Sequence, residues 1–199
     1  MTVTFLILLA YGFESPSKVQ QYLCPLAVKT NSDALVVAET GTGKTAAYAI
    51  PLVHKIQPEL VSPQAIVVVP TREQAMQISK VILALGEYKN IKVHTCIGGT
   101  SVRQDMMGCS TSHVIVGTCG RILDMIRRGS FVTSNIKMLV VDEYDEFIAN
   151  TKDQLYDFIV AMPTTGNQID MVVIVTHVCR GANYSCMYYN YHGSSRNFR

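Results

Sequence analysis

A short apolar run followed by a glycine-rich loop is the feature that most limits how this chain can fold. Residues 34–37 are apolar and largely β-branched, as in a buried strand, and residues 46–50 are typical of the start of a helix. The loop between them, residues 38–45, contains two glycines that leave backbone N–H groups pointing into one concavity. This concavity lies at the positive end of the helix dipole and favours a polyphosphate. The pattern therefore predicts nucleotide binding, and the alternative is a glycine-containing turn without a ligand.

Two side chains at the end of this loop support the phosphate-binding interpretation. Lys44 can reach the outer phosphates of a nucleotide, and the hydroxyl group of Thr45 can bind Mg²⁺. The strict phosphate-loop pattern begins with glycine, whereas this loop begins with Ala38. The loop therefore matches the pattern at its chemically important end and departs from it at its first position.

An acidic pair, Asp142 and Glu143, directly follows another apolar run at residues 138–141. One carboxylate there can hold the Mg²⁺ that Thr45 also binds, and the second can polarise the water that attacks a phosphoanhydride. The alternative is a solvated acidic loop without a ligand. Together with the upstream loop, the pair is a candidate catalytic site for nucleotide hydrolysis.

Apolar strands alternate with helices along the chain. The expected strands are residues 34–38, 65–69, 93–97, 113–116, 138–141 and 171–175. This alternation predicts a parallel sheet with helices on both faces, and such sheets bind ligands outside the carboxyl ends of their strands. Short polar or glycine-containing motifs follow the strands there, at residues 39–45, 70–73, 98–99, 118–121 and 142–145. We therefore expect one functional edge of the sheet.

Composition adds weaker constraints. A chain of 199 residues with 48% apolar residues is long enough for one domain with a sizeable core, and its net charge of +2 is compatible with nucleic acid without requiring it. Six cysteines without a C-x-x-C pair indicate reduced thiols and a cytoplasmic location, with the nucleus as the alternative. The apolar residues 4–10 lack a basic flank and are too short to span a membrane, so no membrane association is expected.

Six motifs between about residue 6 and about residue 178 resemble, in order and spacing, those of DEAD-box ATP-dependent RNA helicases. They are residues 12–20 (the Q motif), 38–45 (motif I, where alanine at the first position is normal), 70–73 (motif Ia), 98–99 (a glycine doublet), 118–121 (Thr-Pro-Gly-Arg in the family) and 142–145 (Asp-Glu-Ala-Asp in the family). The residues around them look most like the translation-initiation members. The resemblance implies a three-layer α/β, RecA-like ATP-binding domain over residues 1–178, with a mainly parallel sheet flanked by helices. Residues 179–199 are then an irregular tail.

The resemblance also implies ATP and Mg²⁺ as cofactors, and it assigns roles by position. Lys44, Asp142 and Glu143 would be catalytic, with Mg²⁺ held by Thr45 and Asp142. ATP would be bound by Phe13, Gln20, Thr40, Gly41, Thr42, Gly43, Lys44 and Thr45, with the amide of Gln20 selecting adenine. The backbone of single-stranded RNA, without sequence preference, would be bound by Pro70, Thr71, Arg72, Gly98, Gly99, Thr118, Gly120 and Arg121. RNA and translation initiation factors would be the partners.

Three positions depart from the family pattern. Cys119 replaces proline, Tyr144 replaces alanine beside the acidic pair, and residues 175–177 read Val-Thr-His where the family has Ser-Ala-Thr. The second RecA-like domain, with its arginine fingers, is not within these 199 residues. Two hypotheses follow: an RNA-stimulated ATPase that is the N-terminal half of a helicase, or a truncated, divergent paralogue that binds RNA, ATP or a partner without unwinding. A phosphate-loop ATPase unrelated to RNA is disfavoured by the matches at Gln20 and residues 71–72.

Overall fold

The computed structural model describes residues 15–162 and 169–177, and the backbone of residues 186–191. The described helices are α1 (Lys18–Lys29), α2 (Lys44–Lys55), α3 (Arg72–Gly86), α4 (Val102–Thr111), α5 (Cys119–Arg127), α6 (Tyr144–Asn150) and α7 (Lys152–Ala161). The strands are β1 (Asp33–Ala38), β2 (Ala65–Val68), β3 (Val93–Cys96), β4 (Val114–Gly117), β5 (Met138–Val141), β6 (Met171–Thr176) and β7 (Cys186–Tyr191). Short 3₁₀ turns occupy Glu87–Lys89 and Thr133–Asn135.

The seven strands form one sheet in the order β3-β4-β2-β5-β6-β1-β7. Strands β1 to β6 pair in parallel, and β7 is antiparallel to β1. Helices and strands alternate from α1 to β5, as the apolar pattern predicts, and two helices, α6 and α7, separate β5 from β6. The mainly parallel sheet is therefore confirmed.

The described part of the tail corrects one prediction, because residues 186–191 form strand β7 instead of irregular chain. Their sequence, Cys-Met-Tyr-Tyr-Asn-Tyr, is rich in aromatic residues, which favour strands. The physical reason is tertiary: the edge of β1 supplies the hydrogen-bonding partners that a short segment cannot supply for itself. The boundary between a domain at 1–178 and a tail at 179–199 stays a prediction.

Two apolar cores cover the two faces of the sheet. Along β2 the side chains alternate: Val67 lies in the core formed with α1, α2 and α3, whereas Ile66 and Val68 lie in the core formed with α5, α6 and α7. All four residues of β2, of β4 and of β5 are buried, which explains why these central strands are continuous apolar runs. Among the described helices, none is long and apolar enough to cross a membrane.

Two helices begin with the same device, a capping box, at the edge where the motifs gather. Ser17 caps α1 and Thr71 caps α3, and each side chain accepts the backbone N–H of the residue three positions later. The side-chain oxygens of those later residues, Gln20 and Gln74, in turn accept a hydrogen bond from the backbone N–H of the cap residue. The starts of α1 and α3 are therefore fixed locally, and both glutamine amides are held close to the functional edge.

Candidate functional site at the carboxyl edge of the sheet

The loop between β1 and α2 has the backbone shape of an anion-binding cradle. Gly41 and Gly43 adopt left-handed conformations, with φ of +82° and +80°, which glycine reaches without strain. A Cβ on Gly43 would also lie 2.5 Å from Nε2 of Gln20, whereas nothing lies within 4 Å of a Cβ built on Gly41. Glycine at position 43 is therefore favoured by conformation, a Cβ there would also displace the Gln20 amide, and the loop is open to a ligand beside Gly41.

Hydrogen bonds within this loop hold its side chains close to the cradle. Nζ of Lys44 donates to the carbonyl oxygens of Ala38, at 2.7 Å, and Glu39, at 3.1 Å. The hydroxyl group of Thr42 donates to the same Glu39 carbonyl at 2.8 Å. The ammonium group of Lys44 thus lies against the loop, where a bound phosphate would meet it.

The Q-motif residue Gln20 joins the start of α1 to this loop. Its side chain is buried, its Oε1 accepts the N–H of Ser17 at 3.0 Å, and its Nε2 donates to the carbonyl oxygen of Gly43 at 3.4 Å. Both ends of the amide are therefore engaged by protein groups, and adenine selection by Gln20 stays a prediction. Phe13, the second residue expected near the base, lies outside the described residues.

A buried phenol connects the loop with the acidic pair. The hydroxyl group of Tyr48 donates to Oδ2 of Asp142 at 2.8 Å, and the N–H of Glu143 donates to Oδ1 at 2.9 Å. Burial raises the pKa of Asp142, and these two hydrogen bonds offset the rise only in part. Burial and the charge of Asp142 raise the pKa of Tyr48 well above its ordinary value, while a side-chain hydrogen bond with Thr45 acts in the opposite direction. Tyr48 thus contacts Asp142, one of the two expected Mg²⁺ ligands, and lies near the other, Thr45.

The side-chain oxygen atoms of Asp142 and Thr45, which lie near Tyr48, are suitable ligands for Mg²⁺. This ion prefers hard oxygen ligands and is usually held by one or two carboxylates, water and substrate phosphates instead of an all-protein cage. A buried carboxylate, Asp142, and a hydroxyl group, Thr45, at the mouth of a phosphate cradle match that preference. The sequence motifs did not reveal Tyr48 itself; a tyrosine within the apolar start of α2 was the available signal.

Glu143 lies in an unusual backbone conformation. Its φ of +54° and ψ of +50° are left-handed, which costs about 1–2 kcal/mol for a residue with a Cβ, and it directly precedes α6. Its Oε2 accepts a hydrogen bond from Nε2 of Gln74, a residue that the sequence analysis did not single out. Backbone strain at this position is typical of functional sites, where the surrounding structure holds a residue in place.

The last residue of the acidic motif, Asp145, ties this loop to the end of β6. It accepts hydrogen bonds from the Thr176 hydroxyl at 2.9 Å and the His177 N–H at 3.2 Å, and the ring of His177 lies 3.2 Å away. Burial alone would raise the pKa of Asp145, but these hydrogen bonds outweigh it and lower the pKa. Thr176 thus supplies one hydroxyl where the family has Ser-Ala-Thr. Tyr144 packs against the core beneath α5, α6 and α7.

The two arginines expected to bind RNA meet on one loop, residues 98–100. The guanidinium group of Arg72 lies over the glycine doublet, since a Cβ on Gly98 or Gly99 would be only 3.0 Å or 3.1 Å from its nitrogens. Arg121 donates to the carbonyl oxygen of Thr100 from the other side. The remaining expected contacts lie at the starts of the adjacent helices: Pro70 and Thr71 precede α3, Thr118 precedes α5, and Gly120 lies in its first turn.

Asp105, a residue that the sequence analysis missed, distinguishes these two arginines. It is 1% exposed, and its carboxylate accepts from Nε of Arg121 at 2.6 Å and from the Thr100 hydroxyl at 2.7 Å. Nε2 of His94 lies 3.0 Å from its other oxygen. The charge of Arg121 is therefore compensated inside the protein, whereas Arg72 is exposed and directs its charge to solvent.

Comparison with known proteins agrees with this arrangement. The family model of the DEAD/DEAH box helicases matches residues 17–176. The ATP-dependent RNA helicase eIF4A of Yarrowia lipolytica is 48% identical over 157 residues, which cover 78% of this chain and 40% of that protein. Eukaryotic initiation factor 4A of Zea mays is 48% identical over 158 residues, covering 78% and 38% respectively. The chain thus spans about 40% of the length of these relatives.

Solved structures show the same fold. A DEAD box protein from Methanococcus jannaschii superposes with a TM-score of 0.79 at 29% identity, over 90% of this chain and 49% of that one. Saccharomyces cerevisiae Dbp5 bound to RNA and ADP BeF3 superposes with a TM-score of 0.77 at 28% identity, over 88% and 44% respectively. These similarities confirm the predicted RecA-like domain with its mainly parallel sheet. The chain belongs to the DEAD/DEAH box helicase family.

Proposed function

We propose that this chain binds and hydrolyses ATP with Mg²⁺ and binds the backbone of single-stranded RNA, as the N-terminal domain of an ATP-dependent RNA helicase. The observation that carries the proposal is the position of Tyr48, which lies in the helix that begins at the phosphate loop and whose hydroxyl group donates to Asp142 of the acidic pair. Residues that are far apart in the sequence therefore meet at one point, with the ligand types that Mg²⁺ requires.

Each part of the site has a role in phosphoryl transfer. The backbone of the glycine loop and the ammonium group of Lys44 bind and orient the phosphates. When bound to Thr45 and Asp142, Mg²⁺ supplies positive charge that stabilises the negative charge of the transferred phosphoryl group. The carboxylate of Glu143 then orients the attacking water and accepts its proton.

RNA binding is supported by the exposed guanidinium group of Arg72 over the glycine doublet and by the hydroxyl group of Thr71 beside it. Such groups bind phosphates without reading bases, so the expected recognition is independent of sequence. One similar structure, that of Dbp5, contains RNA.

The names of the relatives support a role in translation initiation. Several are eIF4A proteins at 44–48% identity, so we propose a cytoplasmic location and initiation factors as partners. These assignments rest on the relatives, because the expected contacts are to the sugar-phosphate backbone of RNA and therefore do not identify an RNA target or a pathway.

A second candidate function is binding of RNA, ATP or a protein partner without unwinding. The observation that favours it is His177, which pairs with Asp145 at the place where the family has Ser-Ala-Thr. The family resemblance implies that this motif couples ATP hydrolysis to RNA unwinding.

Hydrolysis of ATP with and without single-stranded RNA tests the proposal, with Glu143→Gln as the matched control. We expect Mg²⁺-dependent hydrolysis that RNA stimulates and that Glu143→Gln abolishes while ATP binding remains. Absence of ATP binding, or hydrolysis that Glu143→Gln leaves unchanged, would contradict the enzymatic function. Binding of RNA or ATP without hydrolysis would support the second candidate.

A further inference from the structure

We propose that Gln74 couples the RNA site to the catalytic carboxylate, holding Glu143 when RNA is absent and releasing it when an RNA phosphate binds at Thr71. This inference rests on the proposed function and assigns a positioning role to a residue outside the recognised ligand-binding groups. It concerns regulation of the hydrolysis step and not a new substrate.

The geometry of one amide group carries the inference. Oε1 of Gln74 accepts the N–H of Thr71 at 3.2 Å and its hydroxyl group at 2.9 Å. Nε2 of the same amide donates to Oε2 of Glu143. An amide is planar and rigid, so its two ends cannot reorient independently. A change in the hydrogen bonds at Thr71 is therefore transmitted to Glu143.

The sheet order explains why these residues meet although they lie far apart in the sequence. Strand β2 pairs with β5, with Val68 opposite Val141, so the chain leaves both strands side by side. The start of α3 then lies beside the acidic pair. Within the described residues, Thr71, Gln74 and Glu143 therefore form a direct side-chain link between the RNA side and the ATP side of the edge.

RNA would act on this link through the donors of Thr71. A phosphate oxygen is charged and forms a hydrogen bond roughly twice as strong as the one that a neutral amide oxygen forms. Thr71 would therefore transfer its hydroxyl or N–H donor from Gln74 to the phosphate. Once Oε1 loses these donors, the amide is no longer oriented toward Glu143, and the carboxylate can take a proton from water.

A purely structural role for Gln74 can be separated from this coupling by substitution. Glutamate at position 74 keeps the capping box, because its carboxylate accepts the same Thr71 donors, but it has no N–H group for Glu143. Leucine at this position removes both contacts. Gln77, an exposed residue of the same helix α3, provides the matched control as Gln77→Leu.

The first experiment measures RNA binding in the absence of ATP and Mg²⁺. In the ¹⁵N-labelled chain, the side-chain amide resonance of Gln74 is identified by its loss in Gln74→Glu. We expect this resonance to shift on addition of a single-stranded polyuridine oligonucleotide, while the Gln77 amide does not shift. An unchanged Gln74 resonance with the oligonucleotide bound would overturn the inference.

The second experiment measures single-turnover ATP hydrolysis with and without the oligonucleotide. Gln74→Glu and Gln74→Leu should each raise the RNA-free rate by roughly fivefold or more, the lower range of allosteric coupling, and leave the RNA-saturated rate unchanged. Gln77→Leu should match the wild type. Because both Gln74 variants lose the hydrogen bond to the Glu143 carboxylate, their thermal unfolding temperatures are measured as well, so that rates are compared only where each variant is folded.

The outcomes separate the inference from the proposed function. If both variants keep the wild-type RNA-free rate, or lose activity equally with and without RNA, the coupling is overturned while the function stands. If the wild-type chain neither binds RNA nor hydrolyses ATP, the proposed function fails together with the inference that rests on it.

Discussion

Removal of one hydroxyl group, by Tyr48→Phe, is the sharpest test of how the site is held together. The ring of Tyr48 is fully buried and would stay in place, so the substitution creates no cavity and removes only the hydrogen bonds of the phenol. It leaves Oδ2 of Asp142, a residue that is 6% exposed, without this donor. The experiment therefore isolates one buried hydrogen bond to a carboxylate.

The size of the effect follows from the type of bond. A hydrogen bond to a charged group contributes about 1.5–3 kcal/mol to stability. We expect Tyr48→Phe to lower the free energy of unfolding by that amount at neutral pH, which corresponds to a fall in Tm of roughly 3–12 °C for a chain of this size. The same change should weaken Mg²⁺-dependent binding of ATP, because Asp142 loses the contact that orients it.

Urea denaturation followed by circular dichroism provides the assay, without ligands and with the m-value checked for constancy. Tyr156→Phe is the control, because Tyr156 is 64% exposed and its substitution should change the free energy of unfolding by less than about 0.5 kcal/mol. A Tyr48→Phe effect as small as that of Tyr156→Phe would refute the inferred bond. The substitution should also have a smaller effect in an Asp142→Asn background, where the amide oxygen can accept the same hydroxyl donor but carries no charge.

Three further predictions concern the remaining parts of the site. Burial raises the pKa of Asp142 above 3.8, so the Asp142 carboxyl group stays protonated to a higher pH in the folded chain than in the unfolded chain, and the folded chain loses stability as this group ionises. Asp142→Asn should therefore gain stability relative to the wild type between about pH 4 and about pH 8, and a stability difference that does not change with pH would contradict this sign. Gly43→Ala should strongly weaken ATP binding measured by calorimetry, since φ is +80° there and a Cβ would displace the side chain of Gln20; unchanged affinity would show that the loop is not the cradle. Arg121→Ala should lower the free energy of unfolding by about 3–5 kcal/mol, because it removes the guanidinium group that pairs with the buried Asp105. Arg72→Ala should keep stability and reduce the slope of the salt dependence of RNA binding by about one unit. Equal effects of the two variants would contradict the different roles given to these arginines.

Much of the fold was predictable because the relevant physics is local. Strands β2, β4 and β5 are continuous apolar runs, since both of their faces are covered, and such runs are visible in any short window of sequence. Helix α6 was not expected, because its first two residues belong to the motif at 142–145 and its seven residues are too few to show a helical apolar period. Strand β7 was missed because, although its aromatic residues favour a strand, its hydrogen-bonding partners lie in β1, far away in the sequence.

The sequence by itself determined the phosphate loop, because its glycines, lysine and threonine act within a few residues of one another. It also indicated the common edge, since every parallel strand ends there. Only the tertiary structure decided which side chains meet at that edge: Tyr48 with Asp142, Gln74 with Glu143, and Asp105 with Arg121. The physical reason is that these contacts depend on the order β4-β2-β5-β6-β1, which no local pattern specifies.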